Sequence, residues 1–146
     1  MKISIGCDHA AYKEKELLLS FIQDELGLSV IDCGTYSDSS VNYPEFGHKV
    51  ANNVKNNISN MGIVLCGSGI GISISANKIK GIRAALCTSI DHAVMSRKHN
   101  DANILAMGSR FTSFDEMKKI IKSWLNTNFE GGRHQLRIEQ IEKYDE

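Results

Sequence analysis

Five apolar runs of strand length punctuate the chain, at residues 3–7, 28–33, 63–66, 82–87 and 103–107. Each is nearly continuous in hydrophobicity instead of alternating. That is the pattern of parallel strands covered on both faces. Between the runs the spacing turns helical. Leu17, Leu18, Phe21, Ile22 and Leu26 form one stripe that stops at Gly27, a residue suited to a helix C-terminus. Further helices are predicted at 46–57, 70–78, 89–99 and 113–126, and a last one at about 133–143. Ser113-Phe114-Asp115-Glu116 spells a capping box, in which the serine oxygen and the glutamate carboxylate each take a free backbone amide. Strands alternating with helices through right-handed crossovers predict an open α/β sandwich with about five parallel strands, whose ligands bind beyond the strands' carboxyl ends. The longest irregular stretch, 34–45, contains the only proline, Pro44, and is predicted to loop over that rim.

Composition narrows the class of partner. With 146 residues, 42% hydrophobic and 23% charged, the chain has the size of one domain, residues 1–146, with a single core. Lysine plus arginine equals aspartate plus glutamate at 17 each and the pI is near 7.0, so no overall field favours nucleic acid or an anionic membrane. No apolar run approaches the ~18 residues that span a bilayer, and the N-terminus enters a strand-like run without a signal pattern. A soluble, cytoplasmic protein is expected. Cys7, Cys33, Cys66 and Cys87 form no C-x-x-C pair and have no histidine at zinc-finger spacing, which predicts reduced thiols and no metal site.

The strongest local feature is Cys66-Gly67-Ser68-Gly69-Ile70-Gly71, a glycine loop between a buried strand and a helix. Glycines let backbone amides turn inward and, with the helix N-terminus, form a nest for an anion. The spelling is neither a P-loop nor a first-strand G-x-G-x-x-G. A cysteine phosphatase would need an arginine about six residues past the thiol, where Ile72 stands. A thiol at a helix start should instead have its thiolate favoured by the backbone dipoles, which makes Cys66 a candidate proton acceptor. Cys7, Cys33 and Cys87 read as small core hydrophobes.

Other polar clusters are ambiguous alone. His99 and Asn100, in the run 96–101, are a candidate proton-transfer group and a candidate oxyanion donor, although the segment reads equally as a solvated turn. Asp8-His9 reads as a polar helix start with Asp8 as its cap. Arg133 and Arg137 lie four apart on a predicted helix and would form a fork for a phosphate, unless Glu130 and Glu139 pair with them. His48, His92 and His134 individually read as structural.

Together these segments resemble one family, ribose-5-phosphate isomerase of the B type, which also includes sugar-6-phosphate isomerases. The likeness runs through Gly6-Cys7-Asp8-His9, Asp32-Cys33-Gly34-Thr35, Asn42-Tyr43-Pro44, the glycine loop to Ser73, and Ala76-Asn77-Lys78. It continues in Gly81-Ile82-Arg83-Ala84, the run 96–103, Gly108-Ser109-Arg110 and Glu130-Gly131-Gly132-Arg133-His134. The resemblance implies a Rossmann-like three-layer sandwich whose C-terminal helix reaches across a homodimer, or across such dimers paired into a tetramer. It implies interconversion of ribose 5-phosphate and ribulose 5-phosphate without metal or organic cofactor. His99 would assist ring opening and Cys66 would move the proton between C2 and C1 through an enediolate. Gly67, Ser68, Gly69, Ile70, Gly71 and Asn100 would hold the oxyanion, with Ser68 also bonding the thiol or substrate. Asp8 would bind sugar hydroxyls and pass protons between oxygens. His9, Arg133 and Arg137 would hold the phosphate, Arg110 would line the site and Tyr43 would lie near the sugar.

Ser68 stands where threonine is common in the family, and retains the hydroxyl. Some members replace the cysteine with a glutamate in the following helix; residues 72–80 contain no acidic residue, which leaves Cys66 as the base. The nearest alternative is an allose or galactose 6-phosphate isomerase of the same family. From another class, a non-catalytic phosphate- or nucleotide-binding module is disfavoured by the missing first-strand motif.

Overall fold

A computed structural model describes residues 1–145 of the chain. Five parallel strands make one sheet: β1 (Lys2–Cys7), β2 (Ser29–Asp32), β3 (Met61–Cys66), β4 (Ala84–Leu86) and β5 (Ile104–Gly108), in the order β2-β1-β3-β5-β4. Register places Ile5 opposite Ile63 and Asp32, and Cys66 opposite Gly108. β3 and β5 are buried along their whole length, which is why their sequences are continuously apolar; the edge strands β2 and β4 are mostly half-buried.

Among the described residues there are six α-helices: α1 (Tyr12–Ser20), α2 (Tyr43–Lys55), α3 (Ile70–Asn77), α4 (Ile90–Asn100), α5 (Phe114–Leu125) and α6 (Arg133–Glu142), the last packed on α4. The two-residue period of the strands splits the core in two. Ile63, Leu65, Leu105 and Met107 pack with Leu18 of α1, Ala93 of α4 and Ile120 and Trp124 of α5. Val64, Cys66, Ile104 and Ala106 face the other way, towards Val50 and Ala51 of α2 and Ile72 and Ala76 of α3. Cys66 therefore lies on the α2–α3 side. No helix among the described residues is long and apolar enough to cross a membrane.

The three-layer α/β prediction holds, and the differences are local. The first helical stripe is not one helix. His9–Ala11 forms a 3-10 turn, α1 follows, and Phe21–Glu25 widens into a π-type turn in which the Leu26 amide reaches back to the Phe21 carbonyl at 3.1 Å, before Gly27 (φ 65°) ends the segment. The predicted loop 34–45 ends early. Tyr43 and Pro44 open α2, because proline's missing N–H costs nothing in a first turn. Half of the capping box forms: the Ser113 hydroxyl accepts from the Glu116 amide at 3.2 Å, while the Glu116 carboxylate pairs with Lys119 at 3.6 Å. α6 stops at Glu142 and passes into a 3-10 turn, Lys143–Asp145.

Below the irregular segment after β2, Lys15 is fully buried. Its Nζ reaches Asp32 at 2.7 Å and Glu16 at 3.1 Å, and the same Asp32 oxygen accepts from the Gly34 amide at 2.9 Å. Burial pulls the ammonium down, but these partners outweigh it and hold Lys15 above its ordinary value. The pair fixes where the chain leaves β2 and turns over the rim.

Candidate active site

In strand order β2-β1-β3-β5-β4 the connections leave β1 and β3 in opposite directions, so a crevice opens beyond their adjoining carboxyl ends. Asp8 and His9 follow β1 there, Cys66 ends β3, and Gly67 to Gly71 follow it. The crevice is an open pocket of about 530 Å³ lined by Asp8, His9, Tyr43, Cys66, Gly67, Ser68, Ile70, Gly71 and Arg110, together with Ala10 and Ile74.

Backbone geometry explains the glycine loop. Gly69 caps α3 with φ 79°, and a Cβ there would come within 2.7 Å of the Met107 carbonyl carbon. The tight turn aims the Gly69 amide at Cys66 Sγ, 3.1 Å away, and holds the thiol at the pocket wall. The Ile70 amide donates to Ser68 Oγ at 3.2 Å, which leaves the Ser68 hydroxyl hydrogen free to donate. Among the described residues, the amides of Gly67, Ser68 and Gly71 have no acceptor. They are open to an anion. At Gly71 a Cβ would meet the Tyr43 ring at 2.5 Å, so glycine is what allows Tyr43 to lie against the loop.

The other walls are set as firmly. Asp8 is buried, and its Oδ1 caps the 3-10 turn by accepting from the Ala10 amide at 3.0 Å. The Val41 amide donates to His9 Nδ1 at 3.1 Å, making Nδ1 the acceptor and leaving Nε2 to carry the proton. The Arg110 amide donates to the Gly67 carbonyl at 2.9 Å and its guanidinium lies over Gly67, with no carboxylate partner among the described residues. An uncompensated arginine over a ring of free amides suits an anionic ligand. The remaining thiols lie in the core: burial pushes Cys7 up to about 12 and Cys87 up to about 11, and raises Cys33 as well.

Five predicted site residues do not line this pocket: Gly69, whose amide is engaged by Cys66 Sγ, and four on α4 and α6. His99 and Asn100 end α4 and Arg133 and Arg137 lie on α6. The Asn100 carbonyl accepts from Arg83 Nε at 2.9 Å, and Asn100 lines a separate groove beside the edge strand β4. Neither arginine has a carboxylate partner among the described residues. Glu139 binds Gln135 at 3.2 Å, and Glu130 stands 3.9 Å from His99 Nε2. The sequence reading missed three neighbours. Ala10 and Ile74 line the pocket without any chemical signal, and His134, read as structural, stacks on His99 with ring centroids 4.2 Å apart.

His99, Glu130 and His134 bring potential ligand atoms within 4.8 Å of one another. The two imidazole planes are 13° from parallel, however, and a metal sits in the plane of each ring that ligates it, at about 2.0–2.1 Å. Stacked rings cannot share an ion in that way, so the donor set does not fit one as arranged.

The fold and pocket define an α/β protein with a thiol facing a glycine loop of free amides at the switch point of its sheet. A family model described as Ribose/Galactose Isomerase matches residues 3–141. Ribose-5-phosphate isomerase B of Escherichia coli (strain K12) is 44% identical over 140 residues, covering 96% of this chain and 93% of that protein. A solved structure of Clostridium thermocellum ribose-5-phosphate isomerase B superposes with a TM-score of 0.98 at 50% identity, over 99% of this chain and 97% of that one. That of Mycoplasma genitalium ribose-5-phosphate isomerase B with bound ribulose-5-phosphate gives 0.92 at 40% identity, over 99% and 95%. The chain belongs to the ribose/galactose isomerase family.

Proposed function

We propose that this chain is an aldose–ketose isomerase that interconverts D-ribose 5-phosphate and D-ribulose 5-phosphate in the cytoplasm, with Cys66 as the base. The observation that carries the reading is the pocket in which the fixed Cys66 thiol stands beside Asp8, Ser68 and unpartnered amides. The names of relatives along almost the whole chain support the five-carbon substrate.

In the open-chain aldose the Cys66 thiolate takes the C2 proton and the C1 carbonyl becomes an oxyanion, forming an enediolate. The free amides of Gly67, Ser68 and Gly71, with Asn100, stabilise that charge. Asp8 moves a proton from O2 to O1, and the thiol returns its proton to C1 to leave a C2 ketone. Protons and electrons balance within the sugar and these side chains, so the route calls on no metal or organic cofactor. His9, Arg110, Arg133 and Arg137 hold the phosphate, Tyr43 bounds the sugar, and His99 opens the furanose ring. Because His99, Asn100, Arg133 and Arg137 lie outside the Cys66 pocket of their own chain, a second copy supplies them, and the working unit is a homodimer or a tetramer of such dimers.

The test is conversion of ribose 5-phosphate by the purified protein and by Cys66→Ala, which is expected to lose about 10²–10⁴-fold in kcat. An active Cys66→Ala removes Cys66 as the base; a folded but inactive wild type turns attention to six-carbon sugar phosphates. Co-assembly of Cys66→Ala with His99→Ala regenerates one intact site per mixed dimer, and so about one quarter of wild-type activity from random pairing. No recovery on mixing would refute the shared site.

A further inference from the structure

His134 is the second residue of α6. Its amide donates to the Gly131 carbonyl at 3.2 Å, and Gly132 precedes the helix. The turn that delivers it is pinned to α4, because the Glu130 amide donates to the Lys98 carbonyl at 3.1 Å. His134 itself is only 7% exposed, and its ring lies flat on that of His99, whose side chain is 42% exposed.

We infer that His134 is a positioning residue for the ring-opening step: its imidazole, stacked on His99, fixes the plane of that ring and leaves His99 as the member of the pair that exchanges a proton with the sugar. The inference rests on the isomerase reading given above. Two cationic rings about 4 Å apart would repel, so a proton on one disfavours a proton on the other. The groups facing His134 are His99 from α4, Glu130 from the connecting turn, and Arg133 and Arg137 from α6. Loss of hydration, then the positive charges of His99 and Arg133, hold His134 below the ordinary histidine value; Glu130 opposes them and Arg137 adds to them. His134 is thus biased towards its neutral form. Glu130 lies 3.9 Å from Nε2 of His99, beside the ring edge that would hand on the proton.

Two assays separate this role from simple packing. Conversion of ribose 5-phosphate requires the furanose to open. Exchange of the C1 hydrogen of ribulose 5-phosphate with deuterated water does not, because the phosphate on O5 leaves that ketose unable to close a five-membered ring. His134→Ala is expected to slow the first about tenfold, below the full ~10²–10⁴ of an acid–base group because His99 is still present, while exchange stays within about twofold. His134→Phe, which keeps a flat ring on His99, restores most of the conversion. Equal loss in both assays, no loss in either, or a change confined to KM overturns the inference. A wild type inert in both assays overturns the isomerase reading, and this inference with it.

Discussion

Replacing Gly69 by alanine tests whether the loop's geometry is set by backbone and by close contact together. At φ 79° an L-residue pays about 1–2 kcal/mol for the left-handed conformation. The added Cβ would also lie 2.7 Å from Leu86 Cδ1 and from the Met107 carbonyl carbon, and 2.9 Å from the Met107 oxygen. Two of those atoms are backbone of a buried central strand and cannot swing aside, so overpacking adds about 1–3 kcal/mol. The sum is about 2–5 kcal/mol, or a fall in Tm of roughly 5–20 °C for a chain of this size. Gly27→Ala is the control: its φ is 65°, nothing lies within 4 Å of its Cβ position, and only the backbone cost of about 1–2 kcal/mol applies. Urea denaturation of the two variants isolates the contact contribution as their difference. Because the Gly69 amide also holds Cys66 Sγ, displacement by about 1 Å should lower kcat by about 10² at saturating substrate. A Gly69→Ala protein no less stable than Gly27→Ala, with kcat unchanged, would refute the reasoning.

The buried thiols make stability fall in alkali. Cys7 and Cys87 rise from 9.0 to about 12 and about 11 on folding, so the folded state keeps protons the unfolded chain releases; the stabilisation is full below about pH 9 and is lost as pH climbs towards 11 and 12. Denaturant titrations between pH 8 and 10.5 should show that loss, and a Cys7→Ala, Cys87→Ala double variant should flatten it; equal slopes would contradict the assignment. At the buried ion pair the effects should be unequal. Asp32→Asn leaves the buried Lys15 ammonium with only the half-exposed Glu16 carboxylate and should cost about 3–5 kcal/mol by chemical denaturation, whereas Lys15→Met removes the charge with the need for a partner and should cost less. The reverse ranking would sink the argument.

How far the sequence was legible follows from the range of the forces involved. Strands and helix faces are written as local periodicity, so β1, β3, β5 and the helical span of α5 were readable from side-chain pattern alone. Pro44 misled because proline marks a loop or a first helical turn equally well, and only the packing of Phe46 and Val50 beneath the sheet decides for the turn. Glu116 misled because a surface lysine three residues on competes for the carboxylate that the capping box needs. Within the candidate site, the loop residues after β3 and the pair after β1 were legible because the positions of strand ends carry them together. The Val41 amide on His9 and the His134 ring on His99 join residues 32 and 35 positions apart. No local pattern encodes such contacts.

The same distinction bears on how substrate length could be sensed. The thiol and its amides belong to the rigid switch point of the sheet, whereas Arg133 and Arg137 belong to a helix whose far end is clamped elsewhere. Arg83 bonds Glu142 and the carbonyls of Asn100 and Asp101, and the Asp145 carboxylate accepts from the Gly81 amide at 2.8 Å. Held from its C-terminal side, α6 offers the two arginines and the exposed Leu136 outward, away from its own Cys66 pocket. In the dimer proposed above, the span from base to phosphate clamp is then set by how two copies dock, and only the near wall is set by Tyr43 against Gly71. A pocket built in this way measures the sugar phosphate between two bodies. Its discrimination between five and six carbons would depend on the register of the interface as much as on any residue that touches the sugar.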